Sequence, residues 1–570
     1  MAEEVWMLQT KKADFKQIGA RFRIDPVTAR IIRNRGIEGE AAIDRYLNGT
    51  LDDLYDPMLL KDMERAVSIL CEAVDTGKKI RIVGDYDIDG VCSTYILLQA
   101  FERLGSDVDF EIPDRIKDGY GINESIIEQA HADGVEVILT CDNGISAFHQ
   151  VELAKKYGMT VVITDHHEVP LDGEKEKIPP ADAVIDPKQA DCPYPFPEIC
   201  GAVVAYKLVQ VLYARRGVPQ MEWLDLLEFA AIATVGDVMK LQDENRILVK
   251  YGLKKMAQTK NLGLRRLAEK NNLDLGAITA YHIGFVIGPC LNAGGRLKTA
   301  KEALALLRAQ SEEEAERLAE ELKELNDTRK DMTERGTEAA KLQVESWYQK
   351  DKVLVVFLPE CHESLAGIIA GRLREYYQKP AIVLTRGEEA VKGSGRSIDE
   401  YHMFKKLTEV SDLLLKFGGH PLAAGLSLEE KNIDEFRRRL NENAGLTEED
   451  FKAKVWIDVP MPVGYVTERL VRELSCLEPF GQGNEKPLFA EKSLRIRASR
   501  VLGRNRNVVK MTLEETDGHA IEALYFGDGT AFEEERAGRR EIDVVYYPDI
   551  NEYNGRKTLQ AVIRRYKFRG

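Results

Sequence analysis

Three aspartates, Asp85, Asp87 and Asp89, stand at alternate positions in the run Gly84-Asp85-Tyr86-Asp87-Ile88-Asp89-Gly90. The run directly follows the apolar stretch KIRIV, so the three carboxylates would be bunched at a strand end and repel one another unless a cation neutralises them. A solvated surface turn is the plain alternative for one such run. An EF-hand is excluded, because no glutamate stands at its twelfth position and the frame is β/α, not two helices. The run does not stand alone. VEVILT ends in Cys141-Asp142-Asn143-Gly144, MTVVIT ends in Asp165-His166-His167, and the helical pattern LLEFAAIATVGDV delivers Asp237. Oxygen ligands with imidazole from four elements suit Mn2+ or Mg2+ better than a structural zinc site. A shared carboxylate can bridge two ions about 3.5–4 Å apart, the arrangement used for in-line displacement at phosphorus. Adjacent side chains diverge, so His166 ranks above His167 as a ligand, and His167 is left for hydrogen bonding or phosphate contact.

A second group of residues suits phosphate. Gly393-Ser394-Gly395-Arg396-Ser397 offers backbone amides, the Ser394 hydroxyl and the Arg396 guanidinium, a set fitted to a terminal phosphate. Read alone it would be an ordinary Gly/Ser turn; His420 in Gly418-Gly419-His420-Pro421-Leu422-Ala423-Ala424-Gly425 and the acidic constellation argue otherwise. The net charge of −15 argues against a polyanionic partner at first sight. Screening, however, makes the local field decisive over about 8–10 Å. Residues 495–510 and 555–570 each hold six basic residues and no acid. Arg495, Arg497, Arg500, Arg504 and Arg506 are candidates to track phosphates, and Tyr525, Phe526, Tyr546, Tyr547 or Tyr553 to stack on bases, against core packing as the even alternative for each aromatic.

These side chains need a frame to hold them. The 570 residues, 44% hydrophobic and 31% charged, give several globular domains. KIRIVGD, VEVILTCD, MTVVITD and DAVIDP are β-branched runs ending at acids, with helical patterns such as STYILLQAFERL between them. They predict a parallel sheet with crossover helices, whose ligands lie outside the strand carboxyl ends. Between Arg308 and Lys350 there is no proline, and apolar residues recur at helical spacing, predicting one or two long connecting helices. KVLVVF and AIVLT restart the alternation in a smaller lobe. From about Val455 five short strands, separated by turn signals at Asp517-Gly518, Gly527-Asp528-Gly529 and Asn554-Gly555, predict a small β-barrel of the OB type. The expected division is 1–50, 51–300, 301–350, 351–450 and 451–570. Eight cysteines form no CxxC pair, so reduced thiols are expected, and no run is long and apolar enough for a membrane span or a secretory signal. A soluble, cytoplasmic protein is the expectation.

DYDIDG, CDNG, DHH and GD, in this order, resemble motifs I to IV of the DHH phosphoesterases, which bind Mn2+ or Mg2+ and hydrolyse phosphate esters. Gly393–Ser397 and Gly418–Gly425 resemble the SGRS and GGHxxAAG signatures of the associated DHHA1 domain. With LNAGGRL at 291–297, the connecting helix and the terminal β domain, nearly everything after residue 50 is similar to the branch of this family that degrades single-stranded DNA from the 5′ end in recombination and repair. The resemblance implies an α/β parallel-sheet DHH domain, joined by a long helix to a smaller α/β DHHA1 domain and followed by an OB-fold. It implies Asp85, Asp87, Asp89, Asp142, His166 and Asp237 as ligands of two ions, Asp142 bridging, and His167 at the scissile phosphate. Asp87, Asp89, Asp142, His166 and His167 are thus the expected catalytic set. It also implies that Arg115, in PDRIKDGYG, holds the 5′ end with Ser394, Arg396 and His420, and that Arg296 contacts nucleic acid. The sequence departs from the family pattern at Gly294-Gly295, where two alanines are usual, and at Glu363-Ser364, where Gly-Val is commoner. Single-stranded DNA is the expected partner, with a helicase and a single-strand-binding protein as co-workers, no membrane, and a monomeric state. The alternatives are a DHH phosphodiesterase for short oligonucleotides or cyclic dinucleotides, a pyrophosphatase, and a non-catalytic single-strand-binding module.

Overall fold

The computed structural model describes residues 4–115, 119, 121–553 and 555–569, with the Tyr553 side chain outside that set. Ile116, Lys117, Asp118 and Tyr120 of PDRIKDGYG, the Asn554 turn residue and the Tyr553 stacking candidate therefore lie outside the described residues. The chain forms two compact units, one of residues 55–239 and 251–453, the other of 6–54, 240–250 and 454 onward.

The first unit is built on a five-stranded parallel sheet in the order Val108–Glu111, Ile80–Val83, Val137–Cys141, Thr160–Thr164, Ala183–Ile185. The four β-branched runs are its fully or almost fully buried strands. Sequence reading missed Val108–Glu111, an edge strand of half-buried residues. Its Asp109 looks like a loop residue until its partner is seen: the Arg81 guanidinium of the next strand donates to both Asp109 oxygens at 2.7 and 2.8 Å. Helix Ile88–Arg103 starts directly after the first acidic run and is buried along most of its length, packed against helices Gly201–Arg215 and Leu227–Gly236. The three acidic or histidine-bearing loops thus emerge from neighbouring strand ends, and Asp237 is the C-cap of Leu227–Gly236.

A 32-residue helix, Glu312–Gln343, carries the chain to the second lobe of this unit, a run of about 48 Å at 1.5 Å per residue. Ser311 caps it by accepting from the Glu314 amide, and Glu312, Glu313 and Glu314 lie at the positive end of its dipole. The second lobe is a five-stranded mixed sheet in the order Leu414–Gly419, Ala423–Leu428, Val391–Arg396, Ala381–Arg386, Leu354–Phe357. Helix Glu363–Tyr377 packs on it.

In the second unit, Phe489–Leu502, Val508–Glu514, Ala520–Phe526, Arg556–Phe568 and Glu541–Tyr553 pair in a closed five-strand ring. Gly527-Asp528-Gly529 is not a hairpin turn: Asp528 accepts from the Thr530 and Ala531 amides and opens helix Gly529–Arg536. The ring shares one core with the N-terminal helices, whose Ile31, Ile32, Ile43 and Tyr46 are buried with Leu477, Phe489 and Tyr546. The buried Arg246 guanidinium donates to the carbonyls of Tyr46, Leu477 and Cys476 at 3.1, 2.8 and 2.8 Å. Among the described residues no helix is long and apolar enough to cross a membrane, and the eight cysteines are free thiols.

Candidate metal centre and phosphate cradle

Asp87 caps helix Ile88–Arg103, its Oδ1 accepting from the Asp89 and Gly90 amides at 3.0 and 3.2 Å. That contact fixes the turn and sends Asp85, Asp87 and Asp89 to one side. Asp89 rests on the opening turn of the next helix, taking the Gly201 and Ala202 amides at 2.7 and 2.8 Å. A helix N-terminus presents free N–H groups and a positive dipole end, so a buried carboxylate is held there without a side-chain cation. Asp142 adopts φ 60°, a left-handed conformation that costs energy in a non-glycine residue and persists where surrounding contacts impose it. Gly201 permits this approach, since a Cβ there would lie 2.7 Å from the Asp142 Cβ.

These loops converge. His166 Nε2 lies 3.0 Å from Asp142 Oδ1, 3.4 Å from Asp89 Oδ2 and 3.9 Å from Asp237 Oδ2. Among the described residues three donor sets have ligand atoms within 4.8 Å of one another: Asp85, Asp87 and Asp142; Asp89, His166 and Asp237; and Asp142, His166 and His167. Asp142 and His166 each belong to two of them. Burial, then repulsion from neighbouring carboxylates, pushes Asp85 and Asp237 up to about 8 and raises Asp87 and Asp142 as well. Asp85 Oδ2 is buried with no hydrogen-bond partner among the described residues. A polar atom left so, among carboxylates that repel one another, fits a divalent cation and little else on the molecule.

The two histidines differ. Burial lowers His166 and so favours the neutral imidazole that a metal ligand requires. Burial would lower His167 too, but Asp165 Oδ1 lies 2.7 Å from its Nδ1 and outweighs that, so His167 is raised to about 9. Asp165 itself is held by the amides of Ile145, His166 and His167 at 2.9, 2.7 and 3.2 Å. Sequence reading placed Asp165 in the motif but gave it no role; the signal was available, because a working imidazole usually has its second nitrogen oriented by a carboxylate or carbonyl. Asn143 was also missed. Its amide donates to the Val83 and Cys141 carbonyls at 3.1 and 2.9 Å and accepts from the Ile122 amide at 3.2 Å, tying two strand ends together.

The basic residues of this unit gather elsewhere. Arg396 Nη1 donates to Ser394 Oγ at 3.1 Å, and Arg296 Nη1 donates to the Ser364 carbonyl at 2.9 Å, joining the LNAGGRL helix to the second lobe. The Arg115 guanidinium covers the Tyr86 ring at 4.7 Å. Burial first, then the charges of Arg115 and Arg329, pushes Arg296 down to about 10 despite Asp87, and Arg396 contributes to the same field. Burial also lowers Arg396. Gly367 of helix Glu363–Tyr377 makes room, because a Cβ there would lie 2.8 Å from both Arg396 Nη2 and Ser394 Oγ. His420 stands exposed in the turn before Ala423, the register partner of Arg396, and its side chain makes no described contact with the cradle. The two departures from the family pattern have local reasons. Gly295 faces the Tyr86 carbonyl so closely that a Cβ would lie at 2.3 Å, and Glu363 pairs with Lys392 at 2.8 Å.

In the second unit Arg495, Arg497, Arg500, Arg504 and Arg506 are all exposed. Strict alternation would turn Arg500 inward relative to Arg495. A bulge between Ile496 and Ala498 resets the parity and keeps both outside. Arg497 is paired with Glu514, and Arg506 donates to Thr530 Oγ1 at 3.0 Å. The aromatic candidates divide. Tyr546 is fully buried with its hydroxyl donating to the Met461 carbonyl at 2.9 Å, and Tyr525 packs on Phe532 and Tyr566, so both belong to the core. Tyr547 is covered by Lys486 at 3.7 Å, and Phe526 is exposed.

Three family models match the chain. Residues 79–234 match the N-terminal domain of the DHH family, 350–445 the DHHA1 domain and 457–565 the RecJ OB domain. The single-stranded-DNA-specific exonuclease RecJ of Bacillus subtilis (strain 168) is 36% identical over 98% of this chain and 70% of its own length. Its namesake in Escherichia coli (strain K12) is 34% identical over 95% of both chains. The crystal structure of RecJ from Thermus thermophilus in complex with Mn2+ superposes with a TM-score of 0.84 at 28% identity, covering 99% of this chain and 79% of that one.

Proposed function

The chain belongs to the RecJ family of DHH phosphoesterases, and on that premise we propose that it is a metal-dependent exonuclease that removes nucleotides from the 5′ end of single-stranded DNA. The observation that carries this reading is that Asp142, a member of the all-aspartate donor set, has its Oδ1 3.0 Å from His166 Nε2 of the set formed with Asp89 and Asp237, in the unit that also holds an arginine-lined cradle. Asp85, Asp87 and Asp142 would hold one Mn2+ or Mg2+, and Asp89, His166 and Asp237 a second, with Asp142 between them. Bound ions would supply a Lewis acid that activates water and offsets charge on the scissile phosphate.

The chain's own groups do the rest. His167 keeps its proton because Asp165 accepts from Nδ1, so the imidazolium can donate to a phosphate oxygen as charge develops there. Asp165 is the positioning residue for that ring. Ser394, Arg396, Arg296 and Arg115 receive the terminal phosphate, and a grip on the leading end places the next bond at a set distance from the centre. The exposed arginines of the second unit follow the strand through phosphate contacts. The reading extends to work in the cytoplasm in recombination and repair, as a monomer beside a helicase and a single-strand-binding protein; family membership supports it.

The test is a 5′-phosphorylated strand labelled at either end. Release of the 5′ label as a mononucleotide, dependent on Mn2+ or Mg2+, is the expected result. Early loss of the 3′ label, or equal turnover of a dinucleotide and a 20-nucleotide strand, would contradict it.

A further inference from the structure

Two aromatic rings stand in solvent beside the helix that delivers Asp237. Tyr281 and Phe285 are 63% and 66% exposed and lie against each other, centroids 4.7 Å apart and planes inclined by 27°. They sit on a helical run opened at Ala280, in which the turn Ile283–Ile287 is a π-helix, continued by Gly288–Leu297. π turns are rare and recur at functional sites. Gly284, between the rings in sequence, faces the ligand helix: a Cβ there would lie 3.7 Å from Val235 Cγ1. Val235 is in the turn that ends at Asp237, which is closed by the Val238 amide donating to the Val235 carbonyl at 3.2 Å. Val238 is itself 66% exposed, with φ 58°, a conformation that is an outlier for a β-branched residue. Three large apolar side chains are thus displayed to water, one of them under backbone strain, where the helix ending at Asp237 meets the π turn.

The same helical run orders the site. Near its C-terminal end is Arg296, in the phosphate cradle. In its middle Gly288 faces Ile88 of the acidic loop, where a Cβ would lie 3.3 Å from Ile88 Cδ1. At its N-terminal end are the two rings. Cradle, centre and rings therefore follow one another along a single element, with about 16–22 Å between Arg296 and the rings at 1.5 Å per residue.

We propose that Tyr281 and Phe285, flanked by Val238, form a shelf on which bases of the strand stack after it has passed the metal centre. The proposal rests on the nuclease reading above and assigns residues that neither grip the leading end nor hold a metal. At a stacked spacing of about 3.4 Å the shelf lies about five to six steps beyond the first nucleotide and meets about the sixth and seventh from the 5′ end. Stacking accepts any base, so the shelf adds length dependence without sequence preference.

The test uses the full chain in EDTA, so that no hydrolysis occurs, and 5′-phosphorylated 20-nucleotide strands carrying 2-aminopurine at successive positions. The unmodified chain is expected to quench fluorescence most near positions six and seven. Tyr281→Ala/Phe285→Ala should abolish that quenching and weaken binding of the 20-nucleotide strand about tenfold, leaving a trinucleotide's binding and the melting temperature unchanged. Tyr281→Phe/Phe285→Tyr should restore both, whereas Phe285→Leu, apolar but without a ring, should not. Unaltered quenching and affinity in the alanine variant, with the unmodified chain binding and hydrolysing normally, would overturn the shelf and leave the nuclease reading intact. An unmodified chain that neither binds nor cuts the strand would overturn both.

Discussion

Two clusters of opposite charge lie in the same compact unit. Around Asp142, burial first and then repulsion among carboxylates raise Asp85 and Asp237 to about 8. Around Arg296, burial first and then repulsion among guanidinium groups bring that arginine down to about 10. Each is expensive to assemble in partial burial and each is relieved by a ligand of the other sign. The difference lies in how they are held. The acids are fixed by backbone amides and helix starts, at the ends of parallel strands. The arginines are tied to carbonyl and hydroxyl oxygens and bridge two lobes. A divalent ion demands a rigid set of short contacts, whereas a phosphate accepts a looser ring of donors.

Removing the shared carboxylate should separate the two most sharply. Asp142→Ala is expected to lower hydrolysis on the order of 10³-fold while single-stranded DNA is still bound, and to leave the metal-free protein no less stable. Near-normal turnover in that variant breaks the comparison at its root. Next in size, Arg396→Ala should reduce the preference for a 5′-phosphate over a 5′-hydroxyl about tenfold to a hundredfold, measured as a ratio of kcat/KM values. Equal loss on both strands would mean that the cradle is not a terminal phosphate site.

A third effect comes from protons competing with metal. Carboxylates raised to about 8 are protonated at pH 6 and must release protons to bind. In the metal-free fold these groups bind more protons than in the unfolded chain between about pH 4 and pH 8, so stability should fall as pH rises through that window. Mn2+ should therefore raise Tm more at pH 8 than at pH 6 in thermal unfolding. The smallest effect is a control outside both clusters. Glu228 is buried, bonded to Thr259 Oγ1 at 2.7 Å and raised to about 7, by burial first. Its stabilising protonated form is lost as pH rises from about 4.5 to 7. Glu228→Gln should raise Tm by a few degrees at pH 8 and not at pH 5; a gain of equal size at both would refute a charge origin.

Much of the centre was legible because its residues sit where strands end. Asp85, Asp142 and His166 each follow a β-branched run, and a parallel sheet collects such ends on one edge. What escaped reading depends on partners far along the chain or on a shift of register. Arg500 faces solvent only because a bulge adds one residue to its strand. Asp528 between two glycines has the composition of a turn and the action of a helix cap, and composition cannot tell these apart. Tyr546 and Tyr547 are adjacent and strongly aromatic, yet one is sealed in the core and the other lies under a lysine. The N-terminal helices carry no chemistry of their own, and their apolar faces have meaning only beside residues more than 400 positions later.

Arg246 fastens three stretches of backbone that leave the ribosome at widely separated times. Ile31, Ile32 and Tyr46 stay uncovered until the residues beyond 454 that pack on them have been synthesised. A truncation that stops before residue 454 would therefore not yield a clean catalytic fragment: it would leave the apolar faces of residues 6–54 uncovered. Biochemists trimming this protein should expect aggregation unless both extremities are cut together.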